Sequence, residues 1–242
     1  MPLGSTKRKA PAKRSTSTAL KIVAIGASAG GLEAVSQLLN SLPADTGMAY
    51  FYIQHLSPDH ASNLPLLLSA QSKLKVREAK NKARLQPDHL YVCTPNREIS
   101  IVDGRIELLP RDTTRVPYQP IDTFFKMIAR QFGNRAVGVV LSGNATDGTA
   151  GLKAIKEKGG ITFVQDSSAK YASMPLSAMK GSAVDYVLSP VLIARTLARL
   201  AKNGVTKAGE RGWVCRENTA ATPGMLAKLR PAIRITISLM LR

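Results

Sequence analysis

Apolar and polar residues along this chain switch repeatedly between the spacing of strands and the spacing of helices. Lys21-Ile-Val-Ala-Ile-Gly26 has strand character and runs into a small-residue turn, after which Leu32, Val35, Leu38 and Leu39 recur at helical spacing. Strand, tight turn and helix open an α/β unit. Residues 48–53 form a second strand of β-favouring residues, ending in a loop over 54–60. A helix over 64–70 follows, then short strands over 74–79 and 88–93. Residues 98–109 alternate around Asp103-Gly104, the strongest short hairpin signal. A loop over 111–120 leads to an amphipathic helix over 121–132. Residues 136–141 are nearly all apolar, as expected of a parallel strand buried on both faces. A helix then runs to Lys158 and stops at Gly159-Gly160. A strand over 161–165, a helix over 175–180 and a strand over 184–188 complete the sheet. Ser189-Pro190 starts a last helix that ends near Lys202. This alternation predicts an α/β fold: a doubly wound, mostly parallel sheet in a Rossmann-like three-layer sandwich, with one antiparallel β-hairpin appended.

At 242 residues and 44% hydrophobic, the chain can bury one substantial core, with tails beside it. The net charge of +18 is unevenly spread. Residues 1–20 hold five Lys/Arg and no acid, and residues 201–242 hold eight basic and two acidic residues. More than half of the excess therefore sits in the tails. The expected organisation is a disordered basic arm over 1–20, a catalytic domain over 21–202 and a basic C-terminal extension of unassigned role over 203–242. A solvated tail is the plainer reading of the arm, and nucleic acid is not an expected partner. Cys93 and Cys215 are too few for a disulfide framework and suit a reducing compartment. No apolar run reaches the roughly 18 residues of a membrane span, and the N-terminus lacks a signal core. A cytoplasmic protein is expected.

Gly26-Ala27-Ser28-Ala29-Gly30 fits G-x-S-x-G, the pattern of a nucleophile elbow. The same glycine-rich turn could cradle a phosphate, or be a tight turn and nothing more. In a parallel sheet, loops leaving the C-terminal strand ends share one edge. Ser28 follows the first strand, His55 the second, and Asp147 the strand ending at Leu141. A nucleophile, a base and an orienting carboxylate thus converge, and Ser28, His55 and Asp147 are the candidate catalytic residues. The amide of Ala29 and one from the 143–145 loop, Asn144 foremost, are candidates to bind an oxyanion. The order Ser…His…Asp is not that of α/β-hydrolases, Ser…Asp…His.

Each choice has a rival. His60 could replace His55, whereas His89 precedes an apolar strand as a solvated loop or satisfied edge residue. Asp147 could cap the helix after Gly148, and Asp122 could cap the helix over 121–132. No C-x-x-C or H-x-x-x-H spacing suggests a metal, and no cofactor is implied.

With these residues in hand, the chain resembles the catalytic domain of the chemotaxis protein-glutamate methylesterases, closest to the form that begins methylesterase–methyltransferase fusions. The resemblance spans about residues 21–200 and rests on Ile25-Gly-Ala-Ser-Ala-Gly-Gly-Leu-Glu-Ala34, Gln54-His55, Pro95-Asn-Arg97, Pro120-Ile-Asp122, Gly138-Val-Val-Leu-Ser-Gly143, Thr146-Asp-Gly-Thr149 and Met174-Pro175. It implies hydrolysis of glutamate γ-methyl esters on chemoreceptors, with deamidation of glutamine as a companion activity. Ser28, His55 and Asp147 then map onto the family's triad. The implied partners are methylated cytoplasmic receptor helices, and a separate receiver or methyltransferase. Two departures are Ala29, where many members have Thr, and Asn144-Ala-Thr146 in place of Met-Gly-Asn. With only a short basic arm before the first strand, control by a receiver in the same chain is not expected.

Overall fold

A computed structural model describes residues 20–54, 63–94, 96–114, 116–181 and 183–203. Among these, seven strands form a wholly parallel sheet in the order β3-β4-β2-β1-β7-β8-β9. They are β1 (Lys21–Ala27), β2 (Met48–Gln54), β3 (Lys75–Glu78), β4 (His89–Val92), β7 (Ala136–Val140), β8 (Ile161–Gln165) and β9 (Tyr186–Leu188). A separate antiparallel ribbon joins β5 (Arg97–Val102) to β6 (Arg105–Pro110). Its two-residue turn places Asp103 and Gly104 at φ +49° and +70°, the positive dihedrals that match the twist of the flanking strands.

The central strands are buried on both faces, which is why they read as unbroken apolar runs. Val23, Ile25 and Ala27 face one layer with α1 (Gly31–Ser41), α2 (Leu64–Ala70) and α6 (Pro190–Asn203). Ile22 and Ala24 face the other, with α3 (Pro120–Phe132), α4 (Thr149–Glu157), α5 (Ser173–Lys180) and the ribbon. Full burial of such aliphatic side chains stabilises by about 1.5–3 kcal/mol each, so β1, whose apolar residues are inaccessible, anchors both layers.

Expected and observed elements agree in kind and order. The differences lie at the ends: β3 and β9 are shorter than the strands expected over 74–79 and 184–188, and α5 begins two residues early, at Ser173. Helix α3 starts at Pro120, whose missing N–H costs nothing in the first turn. The chain moves outward from β1 through β2, then returns to lay β7 on the other side of β1. The switch point therefore lies between β1 and β7, where open α/β sheets bind ligands.

Candidate active site

Ser28 leaves the C-terminal end of β1 at this switch point. Pairing with the β7 side continues one residue beyond the strand: Leu141 N donates to Gly26 O at 2.9 Å, and Ser28 N to Ser142 O at 3.0 Å. Gly31 N then donates to Ser28 O at 2.9 Å and closes the turn into α1. The two glycines of the G-x-S-x-G pattern serve different ends. Gly30 takes φ +69° as the residue before α1, a conformation few side chains tolerate. Gly26 lies in extended strand, but a Cβ there would fall 2.4 Å from Cγ2 of Ile121 in α3. One glycine makes the turn; the other admits a helix. Ser28 itself is half-buried, with the amides of the first turn of α1 beside it.

Ser142 ties this turn to its surroundings. Its Oγ donates to Ala29 O at 2.8 Å and accepts from Tyr171 N at 3.0 Å. Its amide donates to Oε1 of the buried Gln165 at 2.9 Å. Gly143 N donates to Tyr171 O and Met174 N to Gly143 O, each at 2.9 Å. The 142–148 loop is thus fastened on both sides against Ser28, and a Cβ on Gly143 would stand 3.1 Å from the Cβ of Ser28. Because its amide already serves Tyr171, Gly143 drops out of the 143–145 loop's oxyanion donors. Of the two named donors, Ala29 is half-buried and Asn144 exposed.

Asp147 lies in the same loop and is 2% exposed. Its carboxylate accepts the amides of Ile121 (3.1 Å), Asp122 (2.8 Å) and Gly148 (2.9 Å). It therefore caps α3 across the core, beyond touching the start of its own helix. Three amide donors fix the orientation of this carboxylate, as an orienting group requires. Asp122, by contrast, reaches another helix and not its own. Its Oδ1 accepts the amide of Gly151 in α4 at 2.6 Å, and Lys126 Nζ stands 4.0 Å from its other oxygen. Burial raises its pKa above the ordinary carboxylate value and the Asp147 charge adds to the rise, while Gly151 and Lys126 oppose them.

His55 and its rival His60 lie outside the described residues. The residue before His55, Gln54, pairs in register with Ala27, the residue before Ser28. Tyr52 hydroxyl donates to Gln54 Oε1 at 3.0 Å. His89 is buried rather than solvated, at 5% exposure. It begins β4 at the N-terminal end of the parallel strands, the end opposite to Ser28, with Nδ1 2.7 Å from Pro87 O. That position removes it as a partner for Ser28. Nothing in the spacing of Ser142, Gln165 and Tyr171 marks them as site residues, because their contacts form only when β1, β7 and the segment after β8 meet.

Fold and site define a three-layer α/β protein with a serine turn at the switch point and a buried carboxylate on the adjoining loop. A family model described as CheB methylesterase matches residues 23–197, and the chain belongs to that family. A Leptospira interrogans relative is 33% identical over 185 residues, covering 76% of this chain and 96% of the relative. A protein-glutamate methylesterase/protein-glutamine glutaminase of Photorhabdus laumondii is 33% identical over 186 residues, covering 74% of this chain and 53% of its own length. The chain spans about half of such longer relatives. The crystal structure of the Thermotoga maritima CheB methylesterase catalytic domain superposes with a TM-score of 0.70 at 25% identity, over 75% of this chain and 98% of that one. No helix among the described residues is long and apolar enough to cross a membrane.

Proposed function

We propose that this chain is a serine esterase that removes the γ-methyl group from glutamate side chains of chemoreceptors in the cytoplasm, and deamidates glutamine at equivalent positions. Ser28 Oγ attacks the ester carbonyl while His55 takes the hydroxyl proton. Asp147 holds the imidazole in the tautomer that accepts this proton and offsets the charge it gains. The tetrahedral oxyanion forms at the N-terminus of α1, facing the amides of Ala29 and Asn144. On collapse, the proton passes from His55 to the departing methoxide and methanol leaves. Water, deprotonated by His55, then attacks the glutamyl-serine ester, and Ser28 recovers its proton. With glutamine, the leaving group is ammonia. Methylated receptor helices are the proposed partners, with a separate receiver or methyltransferase acting on the same pathway. The boundaries at 20 and 203 stand as a proposed division into arm, catalytic domain and extension.

One observation carries this reading: the Ser28 turn is bonded to the loop that holds the carboxylate of Asp147, at the switch point of a CheB-family domain. Methanol release from methyl-labelled receptor fragments tests it. Ser28→Ala and His55→Gln are expected to abolish release and leave the fold intact. Full activity in either variant refutes the triad.

A further inference from the structure

Beside the catalytic edge lies a pocket lined by Gln54, Thr94, Arg97, Arg111, Tyr118 and Pro120, among others. Its lining adjoins the proposed reacting groups. Gln54 ends β2, the neighbour of β1, and Pro120 opens α3, whose next two amides hold Asp147. Burial pushes the pKa of the Tyr118 hydroxyl up to about 12, and the Asp147 charge adds a small part of that rise.

Two polar side chains of the pocket, Arg111 and Thr94, are left unmatched among the described residues. The guanidinium carbon of Arg111 lies over the Tyr118 ring, 3.9 Å from its centroid, a cation–π contact that anchors the head group. Its backbone amide donates to Asn96 O at 3.2 Å and fixes the chain beneath. Arg111 Nε is shielded from water and has no hydrogen-bond partner among the described residues; the same holds for Thr94 Oγ1. Arg97 adds an exposed positive charge at the rim. Glu98 lines the adjoining cavity, and its Oε1 accepts the amide of Asp112. Buried donors of this kind are rarely left unmatched in a protein's working state. A guanidinium donates in its own plane, as a flat two-pronged donor that fits a planar carboxylate.

We infer that this pocket receives an acidic side chain of the protein substrate that flanks the ester attacked by Ser28. The inference rests on the esterase reading for the identity of that substrate. Arg111 is then a specificity residue: it selects among glutamate esters by their neighbours and takes no part in bond breaking. This chain would favour esters set among acidic residues.

Binding can be read apart from turnover with the full chain carrying Ser28→Ala. Two fluorescent peptides, each with one γ-methyl glutamate, are titrated by anisotropy; one has flanking glutamates and the other glutamines. The glutamate peptide is expected to bind about tenfold more tightly. Adding Arg111→Gln should bring the ratio close to one, Arg111→Lys should keep part of it, and Thr94→Val should reduce it independently. Thermal unfolding of each variant confirms the fold. Equal affinity for both peptides with Arg111 present overturns the inference, as does an equal loss for both on Arg111→Gln, which marks a structural residue. Methanol release by the unmutated chain scores the esterase reading separately: failure there leaves the binding ratio to decide the pocket.

Discussion

Asp122 and Asp147 exchange the N-terminal amides of each other's helices. Asp147, which precedes α4, accepts from Ile121 and Asp122 in the first turn of α3; Asp122 accepts from Gly151 in the first turn of α4. Each carboxylate lies at the positive end of the partner helix dipole. The exchange requires the two helices to start side by side. Gly151 permits this, because a Cβ there would fall 2.4 Å from that of Phe125. The residue proposed to orient the catalytic base is thus also a staple between two helices.

Removal of Asp147 should therefore cost stability as well as activity. Asp147→Ala orphans three buried amides, and a loss of about 3 kcal/mol is expected. Asp147→Asn retains an acceptor and should lose less. Urea unfolding of both variants measures this directly. An Ala variant with the wild-type midpoint and slope would show that the amides find other partners.

Asp122 should make stability depend on pH in the direction opposite to an ordinary paired carboxylate. Its folded pKa is raised, so the charged form is disfavoured in the fold. Below the unfolded value near 4 the group is protonated in both states and costs nothing; the cost grows as pH rises from there through the folded value. Asp122→Asn keeps an acceptor for Gly151 and removes the charge. The variant should be more stable than the wild type at pH 7, with the gap narrowing as pH falls toward about 3.5. Urea midpoints at three pH values decide it, and a gap that does not change with pH counts against this account.

Ser142→Ala separates positioning from chemistry. The hydroxyl bridges Ala29 O and Tyr171 N, and its loss should cost about 1–3 kcal/mol. With the Ser28 turn less firmly held, kcat for methanol release should fall on the order of tenfold while KM changes little. A variant with unchanged kcat would mean that the turn is held by its backbone bonds alone.

Cys93 should be inert toward thiol reagents in the folded protein. Burial is the main cause that pushes its thiol up to about 12, with Glu98 adding to the rise and the Thr94 amide opposing it. Disulfide-reagent labelling of a Cys215→Ser variant should run about a thousandfold slower than that of free cysteine. Labelling at an ordinary rate would place the thiol in a more exposed setting.

Much of the architecture could be read without coordinates because its signals are local. The all-apolar run of β7, the Asp103-Gly104 turn and the helical spacing after Gly31 each report burial or dihedral needs within a few residues. Strand ends were less legible: β3 pairs only along the four residues of β4, and β9 starts two residues inside the span of β8, limits that no residue type marks.

The chain's own pattern determined the order of strands and helices, the serine turn, and the loops on which a nucleophile and a carboxylate would fall. Sequence spacing suffices there, because parallel strands must send those loops to a common edge. Only the tertiary structure decided that Asp147 caps a helix 25 residues earlier in the chain, that Gly26 makes room for Ile121, and that Ser142 locks the turn. Those facts depend on which surfaces meet when two layers close on β1, and a contact between distant segments leaves no period in the sequence that makes it.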